Sequence, residues 1–230
     1  MRTVVLSSVL LAFAAVGGAQ AALGQSEQKR VENAAGVLRD MTDVPADVWQ
    51  RTNCVIVIPS MKKAALMFGG EYGKGVASCR TPNGWSAPAF YEIEKGSWGL
   101  QIGGQTVDLI LMVMNQSGID HLLRSKFTLG AGGSIAAGPV GRTATASTDA
   151  QMHAEILSYS RSQGLFAGID LSGGVLKPDS EANSDAYGAR VSARDILLSR
   201  RVQPPAVARS FVAALVQTDR AQGIPAGGIK

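Results

Sequence analysis

A chain of 230 residues with 22 basic and 18 acidic side chains is long enough for one domain with a sizeable core, and only mildly basic at +4. Its cations are dispersed and aromatics make up 6%. That argues against a nucleic-acid surface, which needs clustered Lys and Arg with interleaved aromatics, while leaving room for another anionic partner. Glycine, at 27 residues, is about 12% against a usual ~7%, and long helix patterns are few, so a sheet-rich fold is expected.

Residues 1–21 read as a signal peptide: Arg2 is the positive start, Val4 to Val16 the apolar run, and Ala19-Gln20-Ala21 the small-x-small cleavage pattern. The run is short against the ~20 residues of a spanning helix, so cleavage is favoured over a retained anchor. No Cys follows the cleavage point, which disfavours a lipid anchor there. The mature protein is expected to be exported, to the periplasm or the medium.

Residues 22–52 form an N-terminal helical segment. Ser26 is the expected cap, and Val31, Ala34, Ala35 and Leu38 make one apolar stripe. Such a stripe can lie on a membrane, but without large aromatics it is expected to pack on its own domain. Pro45 starts a second short helix through Trp49. Cys54 to Ile58 reads as a buried strand ended by Pro59, with Lys62 and Lys63 at its exit. Ala64–Gly70 and Gly73–Arg80 are expected as a hairpin turning at Glu71-Tyr72, with another turn at Asn83-Gly84. Ala87–Lys95 and Ser97–Gly103 form the next hairpin.

Thr106 to Met114 reads as a central strand. Asp108 inside it is either a buried functional acid or, as preferred here, a carboxylate accepting hydrogen bonds. Asn115 caps a helix through Arg124. Ser125–Gly174 carries Gly every few positions and is read as the wall of a curved sheet with a basic rim at Lys126, Arg142 and Arg161. Gly138-Pro139-Val140-Gly141 is its turn. Ser192 to Asp195 has capping-box spacing. Pro204-Pro205 launches a last helix, with Val207, Phe211, Ala214 and Leu215 on one face, and residues 223–230 are expected to fray.

Cys54 and Cys79 are the two cysteines. In an exported chain a structural disulfide is favoured over a metal site, because neither His121 nor His153 stands at ligand spacing to them. There is no P-loop and no G-x-S-x-G. The GAGG at Gly130–Gly133 lacks dinucleotide-loop spacing. No catalytic residue, metal or cofactor is expected, and an enzyme using Asp108 and His153 is the minor alternative.

CVIVIPSMKKAALMFGGEYGKGVASCR, GWSAPAFYEIEKGSWGLQIGGQTVDLILMVMN, SKFTLGAGGSIAAGPVGR and YSRSQGLFAGIDLSGG, in this order, resemble the SYLF domain family from about Asn53 to Gly188. The signal peptide and paired cysteines resemble its exported bacterial branch. The resemblance implies a lipid-binding domain over residues 53–188, with residues 189–222 as C-terminal helices packed on it. Eukaryotic members bind phosphoinositides and other anionic phospholipids, and fungal members also bind actin; only the lipid part suits an exported protein. Gly132 stands where the family often has an acidic residue. The expected fold is α+β: a curved, largely antiparallel sheet or partial barrel with packed terminal helices.

The expected function is non-catalytic binding of anionic phospholipid or a membrane surface, with no nucleic acid. Cations at strand ends would meet phosphates by charge-assisted hydrogen bonds. The candidates are Lys62, Lys63, Lys126, Arg142 and Arg161, with Tyr159 on the same strand face as Arg161, and Lys74, Arg80 and Arg124 as second choices. The alternative is an envelope structural or carrier protein holding an acyl chain among Trp98, Leu100, Phe127, Leu165 and Phe166.

Overall fold

The apolar run Val55–Ile58 and its neighbour Leu109–Val113 are fully buried on both sides, and they form the middle of the sheet. The computed structural model describes residues 23–66, 68–98, 103–141, 151, 153–162, 164–199 and 202–224. Ten strands are described: β1 (Cys54–Leu66), β2 (Phe68–Thr81), β3 (Gly84–Trp85), β4 (Ala89–Trp98), β5 (Gly103–Val113), β6 (Phe127–Thr128), β7 (Ile135–Ala137), β8 (Ile156–Ser162), β9 (Leu165–Gly168) and β10 (Val175–Pro178). They form one sheet in the order β6-β10-β4-β2-β1-β5-β8-β7, with β3 on β2 and β9 on β8. Every pairing is antiparallel except β7 with β8. The fold is α+β, a curled sheet that makes a partial barrel.

Alternation along the strands splits the core in two. On one face Val55, Val57, Val76, Phe90, Ile110, Met112 and Leu157 meet helices α1 (Gln25–Arg39), α2 (Ala46–Arg51) and a C-terminal helix, Arg209–Ala221. On the other, Ile56, Ile58, Tyr91, Leu109, Leu111 and Ile156 meet Leu122 of α3 (Gln116–Leu122) and Ile196 and Leu197 of a short helix, Ala193–Leu198. Both sheet edges turn onto this second face, with Phe127 and Leu129 from one and Ile135 from the other. Between β10 and Ala193 lies α4 (Ser180–Tyr187), so Ala193–Leu198 is α5 and Arg209–Ala221 is α6.

The stripe Val31, Ala34, Ala35 and Leu38 is buried against the sheet, so α1 packs on its own domain. Its cap is Gly24, without a side-chain bond, and Ser26 Oγ instead reaches Glu27. Pro59 does not end β1. The register slips between Ile58 and Met61, and Ser60 takes a positive φ of 53° while its N–H goes to Asp108. A bulge absorbs a proline because its missing donor is then not needed in the ladder. The first long hairpin turns between Leu66 and Phe68, not at Glu71-Tyr72, which lie within β2 opposite Lys63 and Lys62. Its glycines have a packing reason instead: a Cβ on Gly75 would come 2.1 Å from the Val57 carbonyl.

The long wall of the sheet is therefore β1, β2, β4 and β5. The described residues of Ser125–Gly174 supply short strands and β8. Cys54 and Cys79 face each other across β1 and β2 and form a buried disulfide. Asn115 caps α3 through Gly118 N–H, and Ser192 and Asp195 form the capping box of α5.

Candidate functional site

Most of the buried charge is spent on structure. Arg161 on β8 places Nε and Nη2 at 3.0 and 2.7 Å from Asp108 of the adjoining strand and Nη1 at 2.5 Å from Asp40 at the end of α1. Its guanidinium also lies over Phe166, 5.6 Å from the ring centre. Asp108 is thus a hydrogen-bond acceptor for Arg161 and Ser60, which is the plainer of its two readings. Tyr159 shares the face of Arg161, as the strand period requires. Its ring, however, is fully buried beneath Gly138, where a Cβ would come 2.1 Å from it. Burial raises its pKa, and its hydroxyl has no hydrogen-bond partner among the described residues.

Two more carboxylates organise the body. Asp179, the cap of α4, accepts from Arg30 at 2.9 Å, Lys74 at 3.0 Å and the Ala182 N–H at 3.2 Å. Burial alone would raise its pKa, but these donors outweigh burial and hold it below the usual carboxylate range. Asp219 on α6 accepts from the indoles of Trp49 at 2.8 Å and Trp85 at 2.7 Å, and from both Arg80 Nη atoms at 3.1 and 2.7 Å. That single carboxylate ties α6 to α2, β2 and β3.

The other expected cations scatter. Lys62 is exposed and Lys63 pairs with Glu71 at 3.3 Å, both at the far end of β1. Lys126 is exposed on the α3–β6 connection, and Arg142 lies outside the described residues. Lys74 and Arg80, the second choices, are held by Asp179 and Asp219. The apolar set does not line one pocket: Phe127 belongs to one core, Phe166 to the other, and Leu165 is 75% exposed. The side chain of Trp98 and all of Leu100 lie outside the described residues.

The structure instead draws attention to Arg124 and Lys126, joined by two arginines that local sequence did not single out. A groove of about 560 Å³ opens between Leu123 and Ser125 after α3, Pro178, Ser180, Asn183 and Ser184 on α4, and Ala189–Arg194 leading into α5. Arg190 and Arg194 line it, and Arg124 and Lys126 flank its lining residues. All four are exposed, and none has a carboxylate within ion-pair distance among the described residues. They come together because β10 pairs with β6, which sets the α3–β6 connection beside the start of α4. Packing of Ile196 and Leu197 then brings α5 to the same edge. A second cavity of about 550 Å³ lies between the ends of α1 and α6, lined by Leu38, Met41, Val44 and Thr218 among others, with Arg39 its one cation. Among the described residues no three His, Cys, Asp or Glu side chains gather as metal ligands would.

A half-barrel sheet buried on both faces, its interior charges neutralised and four of its unpaired cations gathered around one groove, has the build of a binding domain. The family model described as "Las17-binding protein actin regulator", Ysc84, matches residues 94–218, and the chain belongs to this family, the SYLF family of the sequence resemblance. It is 34% identical over 168 residues to LAS seventeen-binding protein 3 of Saccharomyces cerevisiae, covering 71% of this chain and 36% of that one. To mouse SH3 domain-containing YSC84-like protein 1 it is 31% identical over 192 residues, covering 78% and 55%. The chain thus spans between about a third and half of the length of these relatives. The yeast relative is named as a binding protein, and the family description is that of a binding protein and actin regulator.

Proposed function

We propose that this chain is a non-catalytic module that binds anionic phospholipid at a membrane surface, using the edge of the sheet where α3, α4 and α5 meet. The observation that carries this reading is the gathering of four unpaired cations at one place; Lys29, Arg39, Lys62, Arg209 and Arg220 are exposed too but do not line the groove. Arg30, Lys63, Lys74, Arg80, Arg161 and Lys177 are all engaged by carboxylates. Arg124, Lys126, Arg190 and Arg194 are left unpaired around one groove. Such cations contribute about 1 kcal/mol each toward an anionic membrane, screened by salt. Lys126 is thereby kept from the sequence-based set, Lys63 drops out because Glu71 holds it, and exposed Lys62 becomes a secondary contact. The protein would act as an exported, peripheral component, which mass spectrometry of the mature chain tests through the loss of residues 1–21. No helix among the described residues is long and apolar enough to cross a membrane.

Flotation with phosphatidylglycerol and phosphatidylcholine vesicles checks the reading. Binding to the first alone, falling as salt rises, is expected. Equal binding to both would remove it. The names of the fungal relatives favour a second reading, a docking surface for a protein partner. It predicts partner capture unaffected by the loss of these four cations.

A further inference from the structure

We infer that the groove is a built pocket for a terminal phosphate, a phosphomonoester, and not merely a length of positive surface; this rests on the anionic-lipid reading above. Its walls are fixed from behind. Asn183 spends both ends of its amide on the Phe90 backbone, accepting at 2.8 Å and donating at 2.9 Å, which seats α4. The Tyr91 hydroxyl donates to the Leu122 carbonyl at 2.9 Å and holds the end of α3. The reciprocal bonds of Ser192 and Asp195 lock the start of α5 over the buried Ile196 and Leu197.

What faces the space between these walls is a set of uncommitted donors. The hydroxyls of Ser125, Ser180 and Ser184 and the guanidinium groups of Arg190 and Arg194 have no partner among the described residues. Among the described residues no carboxylate lines the groove. Asp179, beside Ser180, is buried under Arg30 and Lys74, Asp195 closes its capping box, and Glu181 and Asp185 sit off the Ser180, Asn183, Ser184 face of α4. Donors on three walls with no acceptor among the charged groups suit a ligand that accepts from three directions and carries more than one charge. A terminal phosphate does both, and each arginine fork can take two of its oxygens. A phosphodiester offers two free oxygens, one charge, and chain on either side. The volume of about 560 Å³ admits the phosphate together with the small polyol that bears it.

The test uses the full mature chain with two phosphomonoester sources, glycerol 3-phosphate in calorimetry and phosphatidic acid in vesicles, against phosphatidylglycerol vesicles matched for surface charge. We expect one saturable site for glycerol 3-phosphate that competes with phosphatidic acid vesicles. The Ser180→Ala/Ser184→Ala and Arg190→Lys/Arg194→Lys variants should weaken both by about tenfold, since each loses roughly a charge-assisted bond or a bidentate fork. Both should lose less on phosphatidylglycerol vesicles than on phosphatidic acid vesicles, because the positive charge that draws the protein to a phosphodiester surface is kept. Saturable glycerol 3-phosphate binding without any vesicle binding supports the pocket with a soluble ligand and removes the membrane reading. If glycerol 3-phosphate does not saturate and the two vesicles bind alike, the pocket is refuted while the membrane reading stands. Equal losses on both vesicles from the charge-conserving variants would refute it too.

Discussion

Asp219→Ala should be among the most damaging single changes outside the hydrophobic core. The substitution strips four hydrogen bonds from one buried point: two indole N–H groups and both terminal nitrogens of Arg80. Arg80 and Asp219 side chains are only 8% and 11% exposed, so solvent does not replace the lost acceptor. Breaking a buried pair on one side costs about 3–5 kcal/mol, chiefly for the charge left alone. The stranded indoles add to this, less than additively because the three donor side chains share one carboxylate. We take about 4 kcal/mol, or roughly 8–16 °C in melting temperature for a domain of this size. Asp219→Asn keeps an acceptor and should cost about half as much, as a charged hydrogen bond is roughly twice a neutral one. Urea unfolding followed by tryptophan fluorescence is the assay, since Trp49 and Trp85 stand in the affected cluster, their ring centres 5.9 Å apart. A loss below about 1 kcal/mol would mean that the carboxylate behaves as a surface ion pair and that α6 is held by its apolar face alone.

Three further outcomes follow from the same structure. Asp179 is depressed in the folded state, so its stabilisation is complete above the unfolded carboxylate value of roughly 4 and is lost as pH falls through the folded value; an acid titration of stability should be shallower in Asp179→Asn, and an unchanged slope would remove Asp179 as a contributor. Replacing Cys54 and Cys79 together by Ala opens a cross-link between residues 25 apart; it should cost about 3.5 kcal/mol by the chain-entropy model, and chemical denaturation without reductant measures it. Tyr159→Phe removes a buried hydroxyl that has no partner among the described residues; stability should hold or rise by about 1 kcal/mol, and a clear loss would reveal a bond to that hydroxyl.

The elements with one strong local cause were legible in the sequence. Val55–Ile58 is β-branched throughout and read as a buried strand, and the Ser192–Asp195 spacing marked the start of α5. The α1 stripe was plain for the same reason. Errors arose where a distant contact overrides the local signal. Pro59 reads as a stop until Asp108, on another strand, takes the Ser60 N–H and lets the chain bulge past it. Glu71-Tyr72, set among glycines, read as the hairpin turn, yet they lie within β2, and Gly73 and Gly75 beside them serve close packing, since a Cβ on either would strike Ile58 or the Val57 backbone.

The basic site was harder still. A cation in a sequence carries no sign of whether a carboxylate awaits it. Arg161 and Lys63 are as conspicuous as Lys126 until Asp108, Asp40 and Glu71 are placed beside them. Arg190 and Arg194 lie more than sixty residues from Arg124 and are brought near it only by the β6–β10 pairing and the packing of α5. Gly132, exposed at a φ of 69°, occupies a left-handed turn position that glycine fills without strain.

The central claim is that the unpaired edge cations, rather than net charge, hold the protein to anionic lipid. Co-sedimentation with phosphatidic acid vesicles should compare Arg124→Ala/Lys126→Ala/Arg190→Ala/Arg194→Ala with a control that removes four exposed cations elsewhere: Lys29→Ala/Arg39→Ala/Arg209→Ala/Arg220→Ala. Both variants lose the same charge. We expect the edge variant to lose at least about tenfold in vesicle affinity and most of its salt dependence, and the control to lose little. Equal losses in the two would contradict the account.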